Sequence, residues 1–430
     1  MDPTFQRQAL GREIYFNSIA DSKFKHSRIT VCFVLPLQEQ WASNLAVLPA
    51  ILTSGCQEIP SLSQLGRKLD ELYGADLSGD VGRIGPNQLL MFTIRFLDER
   101  YTLHGEQMGQ ACAELLSQLL LHPKGDCSAM DEKDTALEKQ SLLDSIDSLI
   151  NDKRRYALMR CKEIMCQGEP AAQSKYGTRQ QAMEITPQSA RAAYNRMLSK
   201  ARIEILFTGA GDAQQVRSVF EKVFEQVQRD PLSWETPLPK VQAEEKKEHT
   251  ERMELSQSKL VLGFRTGGKQ TGEDLIQAKM MCALLGASPL SRLFVHVREK
   301  LSLCYYCVAR LENANGLLLV DCGIEEKNKE KAVGEILNQV AQLQQGDFTQ
   351  QELEQTRLSM ANGLRTVGDT LGSLETWYLT HLLEGHVISP QKELQAYEGV
   401  TAQQVAQAAQ KLKLDTIYCL AGKEEADCGE

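Results

Sequence analysis

The chain has 430 residues, too many for one ordinary hydrophobic core, so at least two domains are expected. Its 42% hydrophobic and 24% charged residues suit a water-soluble globular protein, and a net charge of −9 argues against a nucleic-acid partner, which calls for a basic face. No apolar run approaches the roughly 20 residues of a membrane span, and Met1 to Gln8 lacks the basic start and apolar core of a secretory signal, so a cytoplasmic protein is expected.

In chain order, Ser27-Arg-Ile-Thr-Val-Cys-Phe33 is the first strand-like run, rich in β-branched and aliphatic residues. It returns as Ser258-Lys-Leu-Val-Leu-Gly-Phe264, 231 positions later (27 to 258). Leu62-Ser-Gln-Leu65 returns as Leu290-Ser-Arg-Leu293, and Leu89-Leu-Met-Phe-Thr-Ile as Leu317-Leu-Leu-Val-Asp-Cys, both 228 positions on (62 to 290, 89 to 317). Ile185-Thr186-Pro187-Gln188 opens a helix with a Thr cap and a first-turn proline, ahead of a strand ending at Gly209. Val400-Thr401-Ala402-Gln403 does the same ahead of a strand ending at Gly422, and Thr401 with Gln404 makes a capping box. Four matched elements in one order indicate a duplicated domain. Between the copies, Arg229 to Lys240 carries three prolines and Ala243 to Thr250 is charged, which reads as an exposed linker.

The expected architecture is therefore α+β, with two tandem homologous domains, 1–228 and 257–430, joined by a linker over 229–256. Each holds a mixed, mostly antiparallel sheet with helices on one face, and the halves close as a clamshell.

The second half contains the most informative segment. Ser288 and Pro289 read as a helix start, and Leu290, Leu293, Phe294, Val297 and Leu301 form an amphipathic stripe. Arg298 lies at the edge of that stripe, about 80° from Leu290 on a regular helix. Tyr305 follows at the start of the next strand. Together they are able to hold an extended peptide through guanidinium and phenol donors. The bland alternative pairs Arg298 with a local Glu and packs Tyr305 in the sheet. Twelve cysteines are scattered without framework spacing and read as small buried hydrophobes, including Cys161 and Cys166. Cys304 and Cys307 lie on a strand rather than at a helix start, and so also read as packing residues. His381-Leu-Leu-Glu384-Gly-His386 looks like a zinc motif, but on a continuous helix its two imidazoles diverge by about 140°, and Gly385 reads as a helix end.

Ser291-Arg-Leu-Phe-Val-His-Val-Arg-Glu-Lys-Leu-Ser-Leu-Cys-Tyr305 resembles the second-half signature S-x-L-F-x-x-(I/V)-R-E-K-x-x-L-x-Y of the pitrilysin/insulysin (inverzincin) peptidases. Leu72-Tyr-Gly-Ala-Asp-Leu77 fits the first half, especially a non-catalytic subgroup described as YfmF-like. With the duplication and the Thr-capped terminal helices, the resemblance extends over nearly the whole chain. The family's zinc motif is H-x-x-E-H. Its positions fall in Leu45-Ala-Val-Leu-Pro-Ala-Ile-Leu-Thr-Ser-Gly55, where Ala46 and Ala50 stand at the two His positions and Pro49 at the base position. The resemblance implies that this chain binds no cofactor and that zinc sits in a homologous H-x-x-E-H partner. It further implies a heterodimer in which Arg298 and Tyr305 bind the substrate peptide. Implied contexts are maturation of ribosomally made peptides or modification of elongation factor P. A structural scaffold with no part in substrate binding is the alternative. A G-x-S-x-G nucleophile elbow and a P-loop are both missing from the sequence.

Overall fold

The computed structural model describes residues 4–233 and 238–422. The start of the N-terminal segment (1–3), the middle of the expected linker (234–237) and the C-terminal residues 423–430 lie outside the described residues. The molecule divides into two compact units. The first contains Met1–Asp147, Gln173–Glu235 and Gly368–Trp377, and the second contains Ser148–Ala172, Thr236–Val367 and Tyr378–Glu430. Each unit thus takes in a short stretch from the other half of the sequence, an exchange that a single cut in the chain does not anticipate.

The first unit is built on β1 (Thr4–Gly11), β2 (Ile14–Ala20), β3 (His26–Pro36), β4 (Asp76–Ile84), β5 (Asn87–Leu97) and β6 (Arg202–Gly209). They form one sheet in the order β1-β2-β6-β3-β5-β4, antiparallel except for the β2–β6 pair. The long strands β3 and β5 pair from His26 with Leu97 to Pro36 with Asn87. Alternate residues Ile29, Val31, Phe33 and Leu35 enter the main core with Leu90, Phe92 and Ile94. The opposite face carries buried polar groups: Glu204 is fully buried between Arg7, Asn17 and Arg202, and Thr30 donates to Glu375 of the exchanged segment.

The second unit is built on β7 (Lys247–Met253), β8 (Ser258–Arg265), β9 (Cys304–Glu312), β10 (Leu317–Ile324) and β11 (Lys413–Gly422), in the order β7-β11-β8-β10-β9. Again one pair, β7–β11, is parallel and the rest are antiparallel. Set against β2-β6-β3-β5-β4, this is the same topology, and the matched runs fall on β3/β8, β5/β10 and β6/β11. The capping boxes at Thr186 and Thr401 are both formed. A helix from the first half of the sequence, Lys153–Met165, packs Ala157 and Cys161 against Val261, Tyr418 and Leu420. The alternate residues Leu260, Leu262 and Phe264 are equally buried, so both faces of this sheet are covered. Arg265, 1% exposed, ties the covering segment down through Glu169 and Asp415.

Two local expectations fail. The charged run 243–250, read as linker, enters β7 at Lys247, because parallel pairing with β11 satisfies its backbone whatever its side chains are. A charged edge strand also resists pairing with other chains. The helix expected from Ser288 begins only after a turn closed by Ser291 N–H to Ser288 O, and its Phe294–Lys300 stretch is π-helical. Leu293 and Val297 are buried, while Leu290, in the turn before the helix, and Leu301, at its C-terminal cap, are exposed. Among the described residues no helix is long and apolar enough to cross a membrane.

Candidate functional site

The segment matching the zinc motif folds as two short helices, Glu39–Ala46 and Leu48–Thr53, broken at Val47. Pro49 explains the break. It has no N–H to give to Leu45, and its ring opposes that carbonyl. Ala46 is buried, Pro49 is buried and Ala50 is partly buried. The Pro49 carbonyl presses on β4 so closely that a Cβ on Gly79 would stand 2.4 Å from it. Next to this segment, Asp134 accepts from Ser54 at 2.8 Å and is ion-paired to Lys124. Its charge is already compensated. Two alanines, a proline and a lysine-paired carboxylate do not fit a zinc ion, which takes imidazole, thiolate or carboxylate ligands. Among the described residues no three His, Cys, Asp or Glu side chains are grouped as a metal site requires.

The second zinc-like run is also something else. His386 does not diverge from His381 as a continuous helix would require. The helix Leu371–Glu384 ends, Gly385 takes φ 92°, and the His386 N–H turns back to His381 O. The two rings meet edge to face at 4.9 Å. His381 Nε2 lies 3.2 Å from Glu393, which also receives Lys279 at 2.9 Å and the Tyr397 hydroxyl at 2.5 Å. Burial pushes the Glu393 carboxyl up, but His381, Lys279 and Tyr397 outweigh it and hold the pKa at about 2. This is a buried ionic network, fully partnered and structural.

Arg298 and Tyr305 are different. Arg298 sits in the π-helical stretch with its side chain 43% exposed. Its Nε stands 3.5 Å from Glu299, its sequence neighbour, and its guanidinium lies 4.8 Å from the Phe294 ring centre. So the local Glu is present, in an exposed pair of little energetic weight. Tyr305 does not pack in the sheet and is 60% exposed. It lies on β9, the edge strand, where Gly323 pairs with Tyr306 and Ile324 with Cys304. Tyr305 is thus the extra residue of a β-bulge, a device that re-aims a side chain at a sheet edge. The π-helical stretch packs on β9, and the charge of Arg298 is felt at the Cys304 thiol, one residue from Tyr305. The fold therefore brings both residues to one end of the second sheet, in open view.

Sequence reasoning missed the groups that hold this end in place. Arg292, 5% exposed, donates to Gln339 and Glu352 at 2.9 Å each and also bonds Gln342, fixing the start of the helix. Gly286 allows the preceding π-helical turn, Ala283–Ala287, to touch β9, since a Cβ there would stand 2.7 Å from Ala309 N. A buried arginine beside the stripe left no signal beyond its position in the motif.

A family model described as the Peptidase M16 inactive domain matches residues 184–360. The chain is 30% identical over 411 residues to a Bacillus subtilis (strain 168) protein named probable inactive metalloprotease YmfF, covering 95% of this chain and 96% of that one. YmfF is the lettering that the subgroup label takes. A shorter stretch of 107 residues is 31% identical to the antilisterial bacteriocin subtilosin biosynthesis protein AlbE of the same organism, covering 25% of this chain and 27% of that one. Among solved structures, a conserved protein from Enterococcus faecalis V583 superposes with a TM-score of 0.90 at 23% identity, covering 98% of this chain and 100% of that one.

Proposed function

Because this chain belongs to the M16 (pitrilysin/insulysin) peptidase family as an inactive homologue, we propose that it is the non-catalytic, peptide-binding subunit of a two-chain zinc metallopeptidase. The observation that carries the reading is Tyr305, turned outward by an edge-strand bulge, on the strand against which the π-helical stretch bearing an exposed Arg298 packs. A tyrosine ring 60% exposed adds little to folding and leaves its face and hydroxyl available to a peptide. Guanidinium and phenol donors suit the carbonyls and carboxylates of an extended peptide, and Arg delivers them in a fixed fork.

The zinc belongs to a homologous H-x-x-E-H partner, where it would polarise the scissile carbonyl and activate water. This chain's share is to hold the peptide against the partner as an added strand. The name of the subtilosin-biosynthesis relative favours peptide maturation as the setting, over the quarter of the chain that it matches. A role beside elongation factor P modification is the other setting the family suggests.

The test is peptide hydrolysis by the catalytic partner alone, with this chain, and with its Arg298→Ala variant. Losing one charge-assisted hydrogen bond costs about 1.5–3 kcal/mol, so kcat/KM is expected to fall about tenfold to a hundredfold. Full activity with Arg298→Ala, but none without the chain, would leave the scaffold reading standing instead.

A further inference from the structure

One face of the second sheet, beginning at Tyr306 beside the bulge, carries more positive charge than the protein itself uses. Residues two apart on a strand share a face. The register sets Lys259 of β8, Gly323 of β10 and Tyr306 of β9 in one row across three strands. Asp321 of β10 stands in the next row, and Arg310 of β9 in the one after it. Arg154, on the covering helix Lys153–Met165, reaches the same place through Asp321. All of these residues belong to the second unit. Gly323 makes room for the arrangement: a Cβ there would stand 2.6 Å from Tyr306 Cε1 and 2.7 Å from Gln257 Oε1, so the ring lies where a side chain would be.

Three cations gather around that ring. The Arg154 guanidinium lies 4.2 Å from its centre and Lys259 Nζ lies 5.8 Å from it. Asp321, buried, accepts Arg154 Nε at 2.5 Å and Arg310 Nε at 3.2 Å. Each guanidinium thus spends only its Nε, and among the described residues its two terminal nitrogens meet no acceptor. Lys259 donates to Gln257, which is neutral. Asp152, the other carboxylate near Lys259, is engaged as a helix cap by the Arg155 N–H at 3.0 Å. Two of the unmet donors, Arg154 Nη2 and the Tyr306 hydroxyl, are buried, which is costly unless an acceptor is supplied. Burial and the charge of Asp321 raise the Tyr306 pKa, so its hydroxyl keeps the proton it would donate. Burial and the charge of Arg154 lower the Lys259 pKa, a sign of cations crowded together.

We propose that Arg154, Lys259, Arg310 and Tyr306 form an oxyanion site that takes a carboxylate of the bound peptide, on an Asp or Glu side chain or at its C-terminus. The carboxylate supplies the acceptor that Arg154 Nη2 and the Tyr306 hydroxyl lack, and it offsets the charge of Arg310 and Lys259. Half-exposed Arg310 gives the ligand its first contact. Inorganic phosphate offers the same oxygen chemistry and is the competing source. That the carboxylate arrives on a peptide rests on the function proposed above, whereas the capacity of the cluster for an oxyanion does not.

The experiment titrates the full chain with two rhodamine-labelled, amidated alanine peptides that differ only in one central residue, Glu or Gln, and separately with inorganic phosphate. The Glu peptide is expected to bind about tenfold or more tightly than the Gln peptide. Arg310→Ala should remove that preference. Tyr306→Phe should leave the melting temperature unchanged or raised, because its hydroxyl has no partner in the protein, yet weaken the Glu peptide about threefold to tenfold and spare the Gln peptide. Equal binding of the two peptides, or a Glu preference that survives Arg310→Ala, overturns this site and leaves the peptide-binding function standing. Phosphate binding that Arg310→Ala abolishes, with neither peptide bound, overturns the peptide carboxylate and counts against that function as well.

Discussion

Edge strands β4 and β9 occupy equivalent places in the duplicated topology, yet their surroundings have gone opposite ways. Each follows a helix and a residue of positive φ, Tyr73 at 56° before β4 and Ser302 at 49° before β9. Around β4 everything is closed. A proline has broken the helix, its carbonyl rests on Gly79, and Asp134 is held by Lys124 and Ser54. Around β9 the backbone itself is irregular, with a π-helical stretch before it and a bulge within it, and the result is an exposed arginine and tyrosine. Once ligands are lost, a site is free to evolve toward packing. A π-helical stretch and a bulge that end in an exposed aromatic ring do not add to stability, which is why the peptide-binding role proposed above is assigned to this edge.

That contrast can be broken by mutation. Gly79→Ala should be the most damaging change, destabilising by about 3 kcal/mol in urea unfolding, because its Cβ meets backbone that cannot step aside. An effect under about 1 kcal/mol would mean that the helix is not pressed on β4. Acid should act through the Glu393 network, away from both edges. Its folded pKa of about 2 lies below the ordinary 4.5, so its stabilisation is present above pH 4.5 and is lost as pH falls from there toward 2. About 2–3 kcal/mol is at stake, and Glu393→Gln should flatten that step in unfolding curves measured across the range. Asp134→Ala should cost about 2 kcal/mol by leaving Lys124 without its carboxylate in a mostly buried place. Arg298→Ala should change stability by less than about 0.5 kcal/mol, since its ion pair with Glu299 is exposed and local. If Arg298→Ala unfolded the protein as readily as Asp134→Ala, the two edges would not differ in kind.

Much of the fold was legible because its signals are local. Thr186 and Thr401 cap helices through their own side chains, and β3 and β8 announce themselves by β-branched and aliphatic runs. The emptied zinc positions Ala46, Pro49 and Ala50 were equally plain, being a matter of residue identity. What escaped depends on partners far along the chain. β7 is a strand only because β11 lies beside it, and the Lys153–Met165 helix belongs to the second sheet through Ala157, Cys161 and Val261, which no periodicity links. The apolar spacing from Leu290 to Leu301 is that of one amphipathic α-helix, yet Leu290 precedes the helix, Leu301 caps it, and both are exposed. His386 was misplaced for the same reason, since the angle to His381 held only while the helix continued.

The central claim is that the segment Ala46 to Ala50 offers no side chain able to hold a metal, so that any hydrolysis near this chain is performed by another. Zinc content of the purified chain, dialysed against zinc and then against buffer, measures this most directly when paired with a peptidase assay of the chain alone. The account predicts well under one zinc per chain and no hydrolysis. One tightly held zinc per chain, lost on substitution near Ala46 to Ala50, with peptide cleaved in the absence of any partner, would contradict it.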